Sequence, residues 1–398
     1  VLAAALAVLG AACGGAATNG RSAEDAGTTT TGQSTPTREP EVKDIPPVVG
    51  WNTDWSKRSI DLSELIRGLS ATDPRDVIPP LDEPKFETVE EASQWLDDRE
   101  PVALLELDTE ARAYPLRILT WHEIVNDQVG DLPVAVTYCP LCNSAVGFSR
   151  VVNGEVLRFG TSGLLRNSDL VMWDRQTESL WQQITGEAIV GKLTGTSLDF
   201  LPVSIVSWKD FREGFPDGTV LSRDTGFERA YGSNPYVGYD SEQRPFLFSG
   251  EPDDRYPAME RVVGVTVNGT NKAYPFSVIS QERAVNDVVA GEPVLVVWGS
   301  EGTASALDSP DIPAGRSVGA GLAYLRTVED RVLTFDAQGD DAFKDRETGS
   351  TWDLLGNATA GSLAGTKLTP GVHTNHFWFA WAAFNQGSPV YTGSAGGQ

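Results

Sequence analysis

A chain that carries one long motif twice is constrained to fold as two copies of one unit, and this sequence does so. AYPLRILTWHEIVND at Ala113–Asp127 returns as AYPFSVISQERAVND at Ala273–Asp287, each followed by a Pro and an apolar strand. DRQTESLW at Asp174–Trp181 returns as DRETGSTW at Asp345–Trp352, and each leads through a Gly-rich stretch into an aromatic segment, Val203–Phe215 and His373–Phe384. Motifs kept in one order over so long a stretch identify an internal duplication.

Within each copy, short β-branched or alternating runs are broken by Gly, Asn or Asp and read as strands: Val102–Leu107, Val134–Tyr138, Ala145–Val152, Val156–Phe159 and Leu170–Trp173. Asn153-Gly154 is a two-residue turn signal, and the chain around Asp108 and Thr109 has hairpin character. Helical segments are brief, at Leu62–Leu69, Val89–Leu96, Thr120–Asn126, Trp208–Phe215 and Phe377–Phe384. The expected fold is mainly β (α+β): two duplicated β-rich lobes with short peripheral helices in a pseudo-twofold arrangement. Alternating βαβ units are absent, which argues against Rossmann and thioredoxin folds.

Residues 1–12, VLAAALAVLGAA, are apolar but shorter than the ~20 residues that span a bilayer, and they end on Cys13. That pattern predicts the remnant of a signal peptide with Cys13 as a lipidation site, so the expected location is extracytoplasmic, anchored to the membrane through lipid or secreted. Residues 13–47 are Thr, Ser, Gly, Glu and Pro with few large apolar side chains, the composition of a disordered tether. An N-terminal lobe is expected at 48–255, its repeated core at about 101–220, and a C-terminal lobe at 256–398. A net charge of -24 disfavours phosphate backbones, so no nucleic acid partner is expected.

Residues that one copy has and the other lacks are not required by the shared fold. TYCPLCNSA places Cys139 and Cys142 directly after a strand, where the second copy reads VWGSEGTAS; Trp121-His122-Glu123 faces Gln281-Glu282-Arg283; and His373 and His376 replace Val203 and Val206. A Cys-x-x-Cys pair at a strand-to-turn junction serves as a reversible disulfide, as two ligands of a soft metal, or as a static short-loop disulfide. His122 is a candidate to lower a thiol pKa, and His373 and His376, three apart on an expected helix start, are candidates to join the cysteines around copper or zinc. The eleven Trp recur at matching places and read as core. Asp253-Asp254 and Asp340-Asp341 read as solvated loop acids. No G-x-S-x-G, H-E-x-x-H, P-loop or dinucleotide fingerprint is present.

Through WHEIVND, TYCPLCNSA, SGLLRNSDLVMWDRQTESLW and HTNHFWFAWAAF, the chain from about Pro101 to Thr392 resembles a bacterial and archaeal family, the domain of unknown function 3179. Some members of that family look like selenoproteins with selenocysteine in the CPLC-like motif, which implies that Cys139 or Cys142 is a redox nucleophile. The resemblance supplies a site and no substrate.

The leading expectation is a thiol-disulfide oxidoreductase acting on a small molecule or protein thiol, with Cys139 attacking, Cys142 resolving and His122 assisting. The alternatives are copper or zinc binding or delivery by Cys139, Cys142, His373 and His376, and a structural envelope protein with a static disulfide.

Overall fold

The computed structural model describes residues 50–107, 110–299 and 302–394. Cys13, the leader and the tether lie outside the described residues, as do Asp108 and Thr109.

The repeated motif reappears as a repeated order of elements. In the first copy, a hairpin of β1 (Pro101–Leu107) and β2 (Glu110–Pro115) leads into helix α1 (Leu116–His122) and a meander of β3 (Ile124–Val129), β4 (Leu132–Cys139) and β5 (Ser144–Ser149). Strands β6 (Phe159–Arg166), β7 (Asp169–Asp174) and β8 (Leu180–Gln182) follow, then the closing strand β9 (Val203–Ser207) and helix α2 (Trp208–Gly214). The second copy runs in the same order: β10 (Arg261–Val267), β11 (Thr270–Pro275), α3 (Phe276–Glu282), β12 (Ala284–Val289), β13 (Glu292–Gly299) and β14 (Ala320–Leu325). It ends with β15 (Phe335–Gln338), β16 (Ala342–Asp345), β17 (Thr351–Asp353), β18 (His373–Phe377) and α4 (Trp378–Phe384). Strand makes up 42% and helix 12%, so the fold is mainly β, as expected.

The shared residues are the ones that hold these elements together. Tyr114 donates its hydroxyl to Asp127 at 2.6 Å, and Tyr274 does the same to Asp287 at 2.8 Å, tying each hairpin to the first strand of the meander. Asn126 bonds both backbone groups of Phe159, and Asn286 both of Phe335. Asp174 accepts from the Thr177 amide, the Thr177 hydroxyl and the Trp181 indole; Asp345 repeats this with Thr348 and Trp352. Trp181 and Trp352 are fully buried, so each indole N–H needs that acceptor. Asp174→Ala and Asp345→Ala should therefore each cost about 3 kcal/mol by urea unfolding, because both strand buried donors. A cost below ~1 kcal/mol would show that the turn does not depend on its aspartate.

The copies are interleaved rather than merely adjacent. Each hairpin pairs with its own closing strand, β1 with β9 and β10 with β18. Strand β18 also pairs with β5 of the first copy, Asn375 opposite Ala145, so one seven-stranded sheet contains the order β11-β10-β18-β5-β4-β3. Hydrophobic packing crosses the boundary as well: Val102, Trp208 and Phe211 share a core with Leu322, Phe343 and Trp352. The strands do not part into two self-contained lobes.

One connection differs sharply between the copies. Strands β4 and β5 are joined by the turn Pro140–Asn143, whereas β13 and β14 are joined by residues 300–319. From that longer loop, Ala306, Leu307 and Ile312 pack into the same core as Tyr138, Cys139, Leu141 and Cys142. Tyr231, Tyr236, Tyr239, Phe248 and Met259, from the stretch between the copies, pack there too. The short turn thus lies under a roof made of two segments that the repeat does not share.

Candidate functional site

Strand β4 ends at Cys139, which pairs with Ser144 at the start of β5. Between them the chain reverses through Pro140 and Asn143; the Asn143 amide donates to the Pro140 carbonyl at 3.2 Å, and Asn143 itself has φ of 48°. Asn tolerates that left-handed conformation better than most residues, so Pro and Asn bracket the turn from its two ends. Both cysteines are consequently turned inward: Cys139 is 2% exposed and Cys142 is not exposed. Their sulfurs lie 3.8 Å apart, unbonded, and Cys139 donates to the Ser168 carbonyl at 3.7 Å.

Two acids complete the site. Asp169, the first residue of β7, brings its carboxylate to the thiols; one ligand atom from each of Cys139, Cys142 and Asp169 lies within 4.8 Å of the others. Its Oδ2 is anchored by Gln182 Nε2 at 2.7 Å and by the Ile184 amide at 3.0 Å; its buried Oδ1 receives no N–H or O–H donor, and the Cys142 thiol bears on the carboxylate. Glu123 caps α1 in a left-handed conformation, φ 58°, its amide donating to Leu119 and its carbonyl accepting from Tyr138. That places it beside the end of β4.

Burial governs the electrostatics. The Glu123 carboxyl is pushed up to about 8 by burial and by the neighbouring Asp169. Asp169 is pushed up to about 6 by burial, against the hydrogen bonds from Gln182 and Ile184. Burial also raises both thiols, Cys142 furthest, because a hydrogen bond between the sulfurs favours charge on Cys139 at the expense of Cys142. At neutral pH both thiols keep their protons, and the carboxylate best able to accept one is Asp169.

The histidines are elsewhere engaged. His122 is buried with Nδ1 2.7 Å from the Pro79 carbonyl and Nε2 2.6 Å from the Tyr231 hydroxyl, and burial lowers its pKa to about 4. A neutral ring held on both nitrogens does not lend a thiol the positive charge expected of it. His373 and His376 lie on strand β18 and not at a helix start, so a spacing of three sends them to opposite faces of the sheet. His373 is bonded to Ser204 and Gly371; His376 is bonded to Thr374 and packs at a tilt against Trp381. The end of the second copy does reach the CPLC turn, but through its backbone: the Phe377 amide donates to the Cys142 carbonyl at 2.8 Å. Among the described residues, the metal-capable cluster at the thiols contains Asp169 and no histidine.

Glu123 and Asp169 escaped the sequence reading, although the comparison of copies held the signal. Glu123 stands where the second copy has Arg283, a reversal of charge at one structural position, since Arg283 also caps its helix with φ 62° and also accepts from the strand that follows, at Trp298. Counted back along the strand from Asp174 and Asp345, Asp169 matches Asp340, and Arg283 is ion-paired with Asp340. Asp340 is thus the exposed loop acid expected, and it also forms one half of a surface ion pair.

Residues 75–388 match the family model described as Protein of unknown function (DUF3179). The chain belongs to this family. No curated protein and no solved structure matches it. In this DUF3179 protein the matched stretch contains Glu123, Cys139, Cys142 and Asp169, together with the repeated Tyr–Asp and Asp–Trp pairs that build the fold around them.

Proposed function

We propose that this DUF3179 protein is a thiol-based oxidoreductase whose Cys139 and Cys142 alternate between dithiol and disulfide. The observation that carries the reading is the approach of two unbonded sulfurs to 3.8 Å within one short turn. A disulfide needs about 2.05 Å, a closure that side-chain rotation and a small shift of the turn supply. In the reaction, the Cys139 thiolate attacks one sulfur of a substrate disulfide and expels the other half as a thiolate. Cys142 then attacks the Cys139 sulfur, the second half leaves as a thiolate, and the protein is left with an internal disulfide. The substrate gains two electrons and two protons, and an external thiol reductant restores the dithiol by the reverse exchange. The hydrogen bond that favours charge on Cys139 supports its role as attacker, and the Asp169 carboxylate beside both sulfurs supports a proton acceptor at the same place. His122 has no part in this version.

We further infer an extracytoplasmic setting, supported by the apolar leader ending on Cys13, with the site held off the membrane by the polar tether. Among the described residues, no helix is long and apolar enough to cross a membrane.

The test is the reduction potential of the pair in the full chain, read by thiol labelling across a glutathione series. A value above roughly -250 mV is expected for a labile, working pair. One below about -300 mV would make the bond structural and end the proposal.

A further inference from the structure

The site concentrates four groups that become negative on losing a proton, and the fold shows what ought to balance them. Cys139, Cys142 and Asp169 converge within 4.8 Å, and Glu123 is buried near Asp169, whose charge raises its pKa. At the matching place in the second copy a guanidinium supplies the positive charge, Arg283 on Asp340. The first copy has reversed that charge and added two sulfurs. Of the Asp169 oxygens, one is fixed by Gln182 and Ile184 while the other, buried and free of N–H and O–H donors, is left to the thiols, which is how a carboxylate ligand is oriented from behind.

We propose that the reduced site binds one divalent ion of the zinc class through Cys139, Cys142 and Asp169, with Glu123 buried behind the cluster, the ion standing where the second copy places its guanidinium. Two sulfurs and one carboxylate oxygen, with a position left for solvent, suit zinc better than copper(I), which prefers sulfur alone, or calcium and magnesium, which prefer oxygen alone. Binding displaces the two thiol protons to solvent and leaves both sulfurs as thiolates on the metal. The proposal does not rest on the redox reading. If both hold, closing the disulfide expels the ion, and the bound ion keeps the dithiol from closing.

The experiment uses the full chain, reduced, incubated with Zn²⁺ and freed of excess, with metal content measured and Co²⁺ substituted to read sulfur-to-metal charge transfer in the near ultraviolet. One equivalent per chain with thiolate bands is expected, and Cys142→Ser should lose the bands. The sharpest variant is Glu123→Arg, which copies the second half of the protein. It should fold with a cooperative thermal transition and hold at least tenfold less zinc, its guanidinium occupying the ion's place. Should that variant fail to fold, Asp169→Asn keeps the shape and removes the carboxylate ligand, and should weaken zinc binding by about tenfold or more. Absence of zinc and cobalt uptake by the reduced protein, or full uptake by a folded Glu123→Arg protein, overturns the proposal. Absence of uptake together with a labile disulfide sinks the metal site alone, whereas uptake with a pair that never closes sinks the redox reading alone.

Discussion

Cys142→Ser protein treated with oxidised glutathione should accumulate a mixed disulfide at Cys139, while unaltered protein under the same treatment returns the glutathione and closes its own bond. The difference follows from position. Cys142 lies 3.8 Å from the attacking sulfur and inside the same turn, so the second exchange is intramolecular and benefits from a high effective concentration. A serine hydroxyl cannot displace a thiolate from sulfur, so the adduct persists. Intact-mass measurement after quenching with acid separates the two species: adduct for the variant, loss of two hydrogens for the parent protein. Cys139→Ser should yield neither product, because Cys142 is the more deeply buried thiol and the one raised further by its surroundings. A Cys142→Ser protein that releases glutathione as fast as its parent would overturn the assignment of resolving thiol.

Acid should destabilise the protein through its histidines, and one substitution isolates the effect. His376 is buried, its Nδ1 has no partner, and burial lowers its pKa from 6.5 to about 3. A group whose folded pKa lies below its unfolded value binds fewer protons when folded, so its contribution is complete above pH 6.5 and is lost as pH falls toward 3. At ~1.4 kcal/mol per pH unit the loss approaches roughly 4 kcal/mol. His122 and His373, each lowered to about 4, titrate in the same direction. Val206 is the counterpart of His376 in the first copy, so His376→Val is a residue this fold already accepts. At pH 7 the variant should be about 1 kcal/mol less stable, for want of the Thr374 contact. Near pH 4 it should instead be the more stable protein by a few kcal/mol, since the buried ring no longer has to be protonated on unfolding. Urea unfolding at pH 7, 5 and 4 reads the crossing; parallel curves would show that the imidazole is not held neutral.

The duplication and the thiol pair were legible in the sequence because both depend on short, local signals. Asn-Gly turns, strands of alternating character and a Cys-x-x-Cys after a β-branched run survive translation into structure with little dependence on distant chain. His373–Phe377 shows where that ends. As HTNHF it has neither apolar alternation nor β-branched enrichment, and it becomes a strand because neighbours on both sides, β10 and β5, satisfy its backbone. Burial on both faces erases the two-residue period that would have announced it. The same blindness hid the exchange of strands between copies, since a repeat reveals which elements recur and not which copy each will pair with. Glu123 was missed for a different reason. Its neighbour His122 is a residue type that commonly does chemistry, while an acid at a helix end is ordinary, so only its reversal against Arg283 carries the information.

The interleaved sheet also has a meaning in time. A chain made from its N-terminus presents β5 and β10 long before residues 373–377 exist, and each strand has an edge that waits for β18, in β5 only at Ala145 because Gly147 and Phe148 pair with Leu201 and Phe200. Until then, unpaired amides and carbonyls stand open to pairing with other chains. The most distant contact in the sheet is also the last that can form, a recipe for slow, all-at-once completion. The turn that holds the thiols shares that schedule. Cys142 offers its carbonyl to Phe377, so the chemistry of the first copy is finished only when the final strand arrives.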